Sequence, residues 1–239
     1  MKRVVLLFAL AGGLLLSAFS TVDAQVKFGF GPRIGFNLGG MSFDPDQSAN
    51  IPSVSKTGRF GMMFGGVGEV EFGGMFAGEL GIIYVMKGGG YSQSGQAAAT
   101  VTLDEKFSEL CFPILFKVKF LRGPFHPYGF VGPNLGIILS ATETLTNAQG
   151  TKDTDLKNLP NVGSVISGMD FSLDFGGGAE YMLSKNMGVQ VDMRYSLGLS
   201  NIWNEPAQQQ QQQQQQQPAQ TTTWHTHGFQ IMLGTMFYL

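Results

Sequence analysis

Between Ser108 and Phe120 every second residue is apolar: Leu110, Phe112, Ile114, Phe116, Val118 and Phe120. The residues between them, Glu109, Cys111, Pro113, Leu115, Lys117 and Lys119, hold all the charge of the segment. A period of two places side chains alternately on the two faces of a strand, and no helix can use it. The pattern returns three times. Asp170 to Leu183 sets Phe171, Leu173, Phe175, Ala179, Tyr181 and Leu183 against Asp170, Ser172, Asp174 and Glu180. Val189 to Ser200 sets Val189, Val191, Met193, Tyr195, Leu197 and Leu199 against Gln190, Asp192, Arg194 and Ser196. Phe229 to Leu239 sets Phe229, Ile231, Leu233, Phe237 and Leu239 against Gln230, Met232, Gly234, Met236 and Tyr238.

Four further segments alternate less regularly: Lys27 to Leu38, Phe60 to Phe72, Phe76 to Lys87, and Tyr128 to Leu139, the last with two largely apolar or glycine faces. About eight strands result. Many exceed the roughly 5–6 residues of a soluble sheet and reach the roughly 9–11 that a tilted membrane strand needs. The 34 glycines weaken any helical alternative, and no segment after residue 24 is apolar for long enough to be a membrane helix.

A soluble sandwich alternates in the same way, so the connections decide. Gly73-Gly74, Leu121 to Pro124 and Ser184 to Asn186 are short; Gly40 to Gly58, Tyr91 to Glu105, Ser140 to Ser167 and Asn204 to Thr223 are long. Short turns at one end and long loops at the other are the pattern of an outer-membrane barrel. The expected fold is all-β: a closed antiparallel transmembrane β-barrel of about eight strands, with short periplasmic turns and long extracellular loops. Both chain ends then lie on the periplasmic side.

Lys2 and Arg3, the apolar run Val4 to Leu16, and the small residues around Val22-Asp23-Ala24 read as a secretory signal, residues 1–24, cleaved after Ala24. The run is too short to span a bilayer, which takes about 20 residues. The barrel domain is then 25–239. Loss of Lys2, Arg3 and Asp23 takes the formal net charge from −2 to −3, too weak and of the wrong sign for a nucleic-acid partner. Cys111 is the only cysteine, so no internal disulfide and no thiolate metal cluster can form.

Gly234-Thr235-Met236-Phe237-Tyr238-Leu239 resembles the C-terminal signal read by the barrel-assembly machinery, with Gly234, Phe237 and Leu239 at its fixed positions. It departs from that signal in having Met232 where a polar residue is usual and Leu in place of a final Phe. The strand segments themselves resemble the PorT-like outer-membrane β-barrel proteins of Bacteroidetes. The stretches are Phe30 to Leu38, Glu79 to Tyr84, Leu110 to Lys117, Pro127 to Pro133, Asp174 to Tyr181 and Arg194 to Ile202. The resemblance implies an eight-stranded barrel in the outer membrane and no particular activity. Its namesake belongs to a protein-export system.

The charged residues facing away from the apolar side are Lys27, Arg33, Glu69, Glu71, Glu79, Lys87, Glu109, Lys117, Lys119, Asp174, Glu180, Asp192 and Arg194. An eight-stranded barrel is just wide enough to be filled by side chains, so these are expected to pair across the lumen as a plug. An ion path or a small-ligand site is the alternative use of the same residues. Paired carboxylates such as Glu69 and Glu71 have no nucleophile or cleft beside them in the sequence, so no catalytic residue is assigned, and no cofactor. His225 and His227 share a face but lack a third metal ligand; with His126 they read as solvated histidines at strand ends, and no metal site is assigned. Gly31 to Gly35 opens no helix and so is no phosphate loop. Glutamines 208 to 217, within the loop 204–223, form a low-complexity tract.

The expected role is structural or binding, exercised through the extracellular loops, with outer-membrane lipid, the assembly machinery and an extracellular or export-system protein as partners. A transport or export accessory of the outer membrane is the alternative, and an outer-membrane enzyme a third.

Overall fold

A computed structural model describes residues 26–44, 54–94, 100–120, 123–159, 164–203 and 223–239. They form nine strands: β1 (Lys27–Asp44), β2 (Val54–Phe72), β3 (Phe76–Ser94), β4 (Thr100–Lys119), β5 (Phe125–Asn147), β6 (Gly150–Asp155), β7 (Met169–Ser184), β8 (Met187–Gly198) and β9 (Thr223–Tyr238). All pairings are antiparallel. They run β1–β2–β3–β4–β5–β7–β8–β9 and return to β1, closing a ring of eight. The short β6 stands outside this ring and pairs only with the far end of β5. Among the described residues there is no helix. Closure leaves the ring without a free strand edge, which a bilayer demands because it offers no water to unpaired backbone groups.

The short-turn end is built by local backbone chemistry. Gly73 and Gly74 both adopt the left-handed region, at φ 65° and 67°, which a β-carbon disfavours. The β7–β8 turn closes between Ser184 and Met187.

At the opposite end the strands are longer than alternation alone suggests. β1 continues to Asp44, β3 to Ser94 and β5 to Asn147, while β2, β4 and β9 begin at Val54, Thr100 and Thr223. Much of the expected long loops at 40–58, 91–105 and 140–167 is therefore paired strand, and β6 lies within the last of them. The physical reason is that the outward face of these extensions has left the lipid and carries polar residues or glycine, as at Gly40 and Ser42 of β1 and Gly90 and Ser92 of β3. The backbone ladder persists while the apolar period fades; β6, Gly-Thr-Lys-Asp-Thr-Asp, contains no apolar residue. The expected signal segment 1–24 and glutamines 208–217 lie outside the described residues.

The two faces of the wall are inverted relative to a soluble protein. Ile34, Phe36, Leu38, Phe64, Leu80, Ile114, Phe116, Val131, Met193 and Leu233 point outward, and Ile34 and Leu80 are each 62% exposed. Rings on neighbouring strands pack in tilted pairs along this face, as in Phe36–Phe60 at 5.1 Å and Phe64–Tyr84 at 5.1 Å between centroids. The inward face holds Arg33, Glu69, Glu79, Glu109, Lys117, Asp174, Asp192 and Arg194, none more than 2% exposed. An apolar belt around the whole ring is far larger than any patch a soluble monomer exposes; it is the lipid-facing band of a membrane barrel.

Candidate functional site

The inward charges form three stacked layers. At the short-turn end Lys119 Nζ lies 2.6 Å from Glu69, 2.9 Å from Glu71 and 3.1 Å from Glu180. Tyr238 accepts a hydrogen bond from Lys119 at 3.1 Å and donates one to Glu180 at 2.5 Å. Alternation explains this convergence: positions 69 and 71 of β2, 119 of β4, 180 of β7 and 238 of β9 all have inward parity, and all lie near the same rim.

In the middle layer Lys117 bridges Glu69 at 3.0 Å and Glu79 at 2.5 Å. Arg33 reaches Glu79 at 3.3 Å and donates to Gln190. Tyr128 donates to Asp192. Arg194 binds Asp174 at 3.2 Å, and Asn134 Nδ2 donates to the same carboxylate at 3.0 Å. The long cations also lie over rings: Lys117 above Tyr128 at 4.7 Å and Arg194 above Phe130 at 5.2 Å.

The third layer centres on Asp170. Lys87 bridges Glu109 at 2.6 Å and Asp170 at 3.3 Å. Thr226 and Ser200 donate to the two Asp170 oxygens, each at 2.7 Å. One carboxylate thus ties together β3, β7, β9 and the β8–β9 connection.

Across the three layers the cations are Arg33, Lys87, Lys117, Lys119 and Arg194. The carboxylates are Glu69, Glu71, Glu79, Glu109, Asp170, Asp174, Glu180 and Asp192. The carboxylates outnumber the cations, and several of their oxygens take hydrogen bonds from neutral donors instead: Tyr128, Tyr238, Asn134, Gln190, Ser200 and Thr226. Such donors lower the penalty of removing a charge from water.

Apolar side chains occupy the rest of the cross-section. Met63, Val67, Ile83, Val85, Cys111, Met232 and Met236 pack together inside the ring. Beyond the Asp170 layer Met41, Phe107, Ile138 and Ala141 meet Leu156, Val165, Ile166 and Ile202, which reach in from the connections flanking β7 and β8. Trp203 and Trp224 pack over this cluster, their rings tilted with centroids 4.4 Å apart.

Glycine makes room for the large charged groups. A Cβ on Gly178 would stand 2.7 Å from Asp192 Oδ1, one on Gly188 2.7 Å from Glu180 Oε1, and one on Gly234 2.6 Å from Arg33 Cδ. Gly234 therefore holds open the space that Arg33 fills.

Twelve of the thirteen expected inward charges meet in these layers. Lys27 does not: it shares their strand parity and pairs with Glu71, but it is exposed at the start of β1, which removes it from the buried network. Asp170, Tyr128, Tyr238, Gln190, Asn134, Ser200 and Thr226 belong to the site and were not among the expected residues. Inward parity on β7, β8 and β9 marks Asp170, Gln190 and Tyr238. Asn134 and Tyr128 sit on β5, whose two faces are both poor in charge. His225 and His227 lie near the start of β9, at a strand end, but both are partly buried rather than solvated. Among the described residues no group of three His, Cys, Asp or Glu side chains could hold a metal ion.

Beyond the lipid-facing band Glu105 of β4 is buried opposite Glu143 of β5. Burial, then the charge and hydrogen bond of Glu143, then Asp104, push the Glu105 carboxyl up to about 8.

Residues 23–204 match the family described as outer membrane protein beta-barrel domain. No curated protein matches the sequence. Among solved structures the chain is similar to the outer membrane protein OprG from Pseudomonas aeruginosa, at TM-score 0.52 and 15% identity over 89% of this chain and 95% of that one. It is also similar, at TM-score 0.40 and 8% identity, to the outer membrane protease OmpT from Escherichia coli, over 92% and 99% of the two chains. The attachment invasion locus protein Ail of Yersinia pestis gives TM-score 0.38 and 12% identity over 89% and 99%.

Proposed function

The chain belongs to the outer membrane protein β-barrel domain family, and on that premise we propose that it is a closed, non-catalytic barrel acting through its extracellular face. Its role is structural or binding, and its lumen is a plug. The observation that carries this reading is the use of the inward charges. Each carboxylate a catalytic site might have employed is spent on a cation inside the ring: Glu69 and Glu71 on Lys119, Asp174 on Arg194, Asp170 on Lys87. The apolar cluster around Ile166 and Ile202 then fills the extracellular mouth. A lumen packed in this way offers no continuous aqueous path.

The same reading takes residues 1–24 as a cleaved signal and 25–239 as one barrel domain. It takes Gly234, Phe237 and Leu239 as the signal handed to the barrel-assembly machinery; the outward setting of Phe237 and Leu239 supports this. The strand segments quoted above support a place in the PorT-like branch of Bacteroidetes barrels, and with it an export-system or extracellular protein as partner.

Planar-bilayer recording tests the plug. The wild-type barrel should show no reproducible unitary current. Ion-selective unitary currents would overturn the plug and favour a transport component instead.

A further inference from the structure

The third layer brings an amine and two carboxyls together from three strands. Lys87 Nζ of β3 stands 2.6 Å from Glu109 Oε2 of β4 and 3.3 Å from Asp170 Oδ2 of β7, with Asp170 Cγ one bond beyond. None of the three residues is more than 4% exposed. Gly136 of β5 leaves room for both carboxyls: a Cβ there would come within 2.9 Å of a Glu109 oxygen and 3.5 Å of Asp170 Cβ. The inward neighbours are apolar, Val85 and Cys111 towards the middle layer and Phe107 and Ile138 towards the mouth.

Two carboxylates face one ammonium here, so the triad becomes neutral when it holds one further proton. A dry site favours that state, because an unmatched charge is costly there. Glu109 makes the shorter contact with the ammonium and keeps its negative charge, so the proton falls to Asp170. Ser200 and Thr226 hold the two Asp170 oxygens through hydroxyls at 2.7 Å each. Glu109 Oε1 is buried without a hydrogen-bond partner, so this carboxylate serves no second cation.

We propose that the triad forms an isopeptide bond between Lys87 Nζ and Asp170 Cγ, a covalent tie across the lumen from β3 to β7. Glu109 takes a proton from the ammonium and leaves a neutral amine, the nucleophilic form of lysine. The nitrogen lone pair attacks Asp170 Cγ and the C–N bond forms. Ser200 and Thr226 donate to the oxygens on which negative charge develops. Glu109 passes its proton to the Asp170 hydroxyl and takes a second one from the nitrogen. The C–O bond breaks and one water leaves. The products are a neutral amide and a neutral Glu109 acid, so the reaction consumes no further reactant and removes both opposite charges from a buried site. Folding supplies the proximity that otherwise limits condensation of an amine with a carboxyl.

The test is the mass of the full chain recovered from outer membranes, and of its peptides after digestion in denaturant. The wild type should be lighter by one water than the sequence from its own N-terminus requires, and should yield a branched peptide joining Lys87 to Asp170. Lys87→Arg keeps the positive charge but cannot form the amide. Glu109→Gln cannot accept the proton. Both should show the full mass and no branched peptide, in barrels whose folding is read from their mobility before boiling. After boiling the wild type should run ahead of both, because the tie keeps residues 87–170 in a closed loop. A wild-type chain of full mass without the branched peptide would overturn the proposal. So would a branched peptide as abundant in Glu109→Gln as in the wild type.

Discussion

Arg194 shows how much one inward residue holds. It is 2% exposed, binds Asp174 at 3.2 Å and covers the Phe130 ring. Truncating one partner of a buried pair leaves the other desolvated without compensation, at about 3–5 kcal/mol, and less where water enters. Arg194→Ala should therefore lower the urea midpoint of the refolded barrel while leaving membrane insertion intact, since the lipid face is unchanged. An unaltered midpoint would show that Asp174 is already satisfied by Asn134. Asp170 differs because its partners sit on separate elements. Asp170→Asn keeps the shape but removes the charge facing Lys87. It should speed amide exchange at 199–202 and 165–168, and leave the short-turn ends of β2 and β4 protected. Uniform acceleration across all strands would assign Asp170 to global stability instead.

At the scale of elements, β4 crosses three environments in 20 residues. From Phe120 to Leu110 its outward side chains are apolar; beyond Leu110 they are Ser108, Lys106 and Asp104. An arginine at Ile114, inside the band, should cost about 2–4 kcal/mol near the midplane, and the same change at Ser108 about 0–1 kcal/mol. Equilibrium refolding into lipid vesicles measures both, and equal costs would mean the boundary is misplaced. Above it, Glu105 responds to pH. Glu105 has its folded-state pKa raised from the ordinary carboxylate range to about 8. The folded barrel then holds a proton that the unfolded chain has released. Stability from this group is complete below about pH 4.5 and is lost as pH rises towards 8, at up to about 1.4 kcal/mol per pH unit. Glu105→Gln should flatten that fall in the thermal unfolding midpoint measured from pH 5 to 8. A wild-type midpoint that rises over this range would contradict the assignment.

At the scale of the whole molecule, eight strands close a ring narrow enough that side chains fill it. The closed ring should resist detergent without heating and run on gels as a heat-modifiable band, with β2 to β5 staying protected from protease when the loops are cut. Recovery of the protein from the soluble periplasm would contradict the membrane reading. The sequence alone determined which side chains face lipid and which face inward, because a strand's period of two is a local property that survives without knowledge of its neighbours. It likewise determined the short turns, since Gly73 and Gly74 supply a conformation that other residues resist. It did not determine where β1, β3 and β5 end, because once the outward face leaves the lipid and turns polar the alternation fades while the hydrogen-bonded ladder continues. Nor did it pair Lys119 with Glu69 and Glu180, or gather Lys87, Ser200 and Thr226 on Asp170. Those contacts join residues far apart in the chain, and they depend on strand register and stagger around the ring. Register is fixed only when all eight strands close together, and that decided which charges meet.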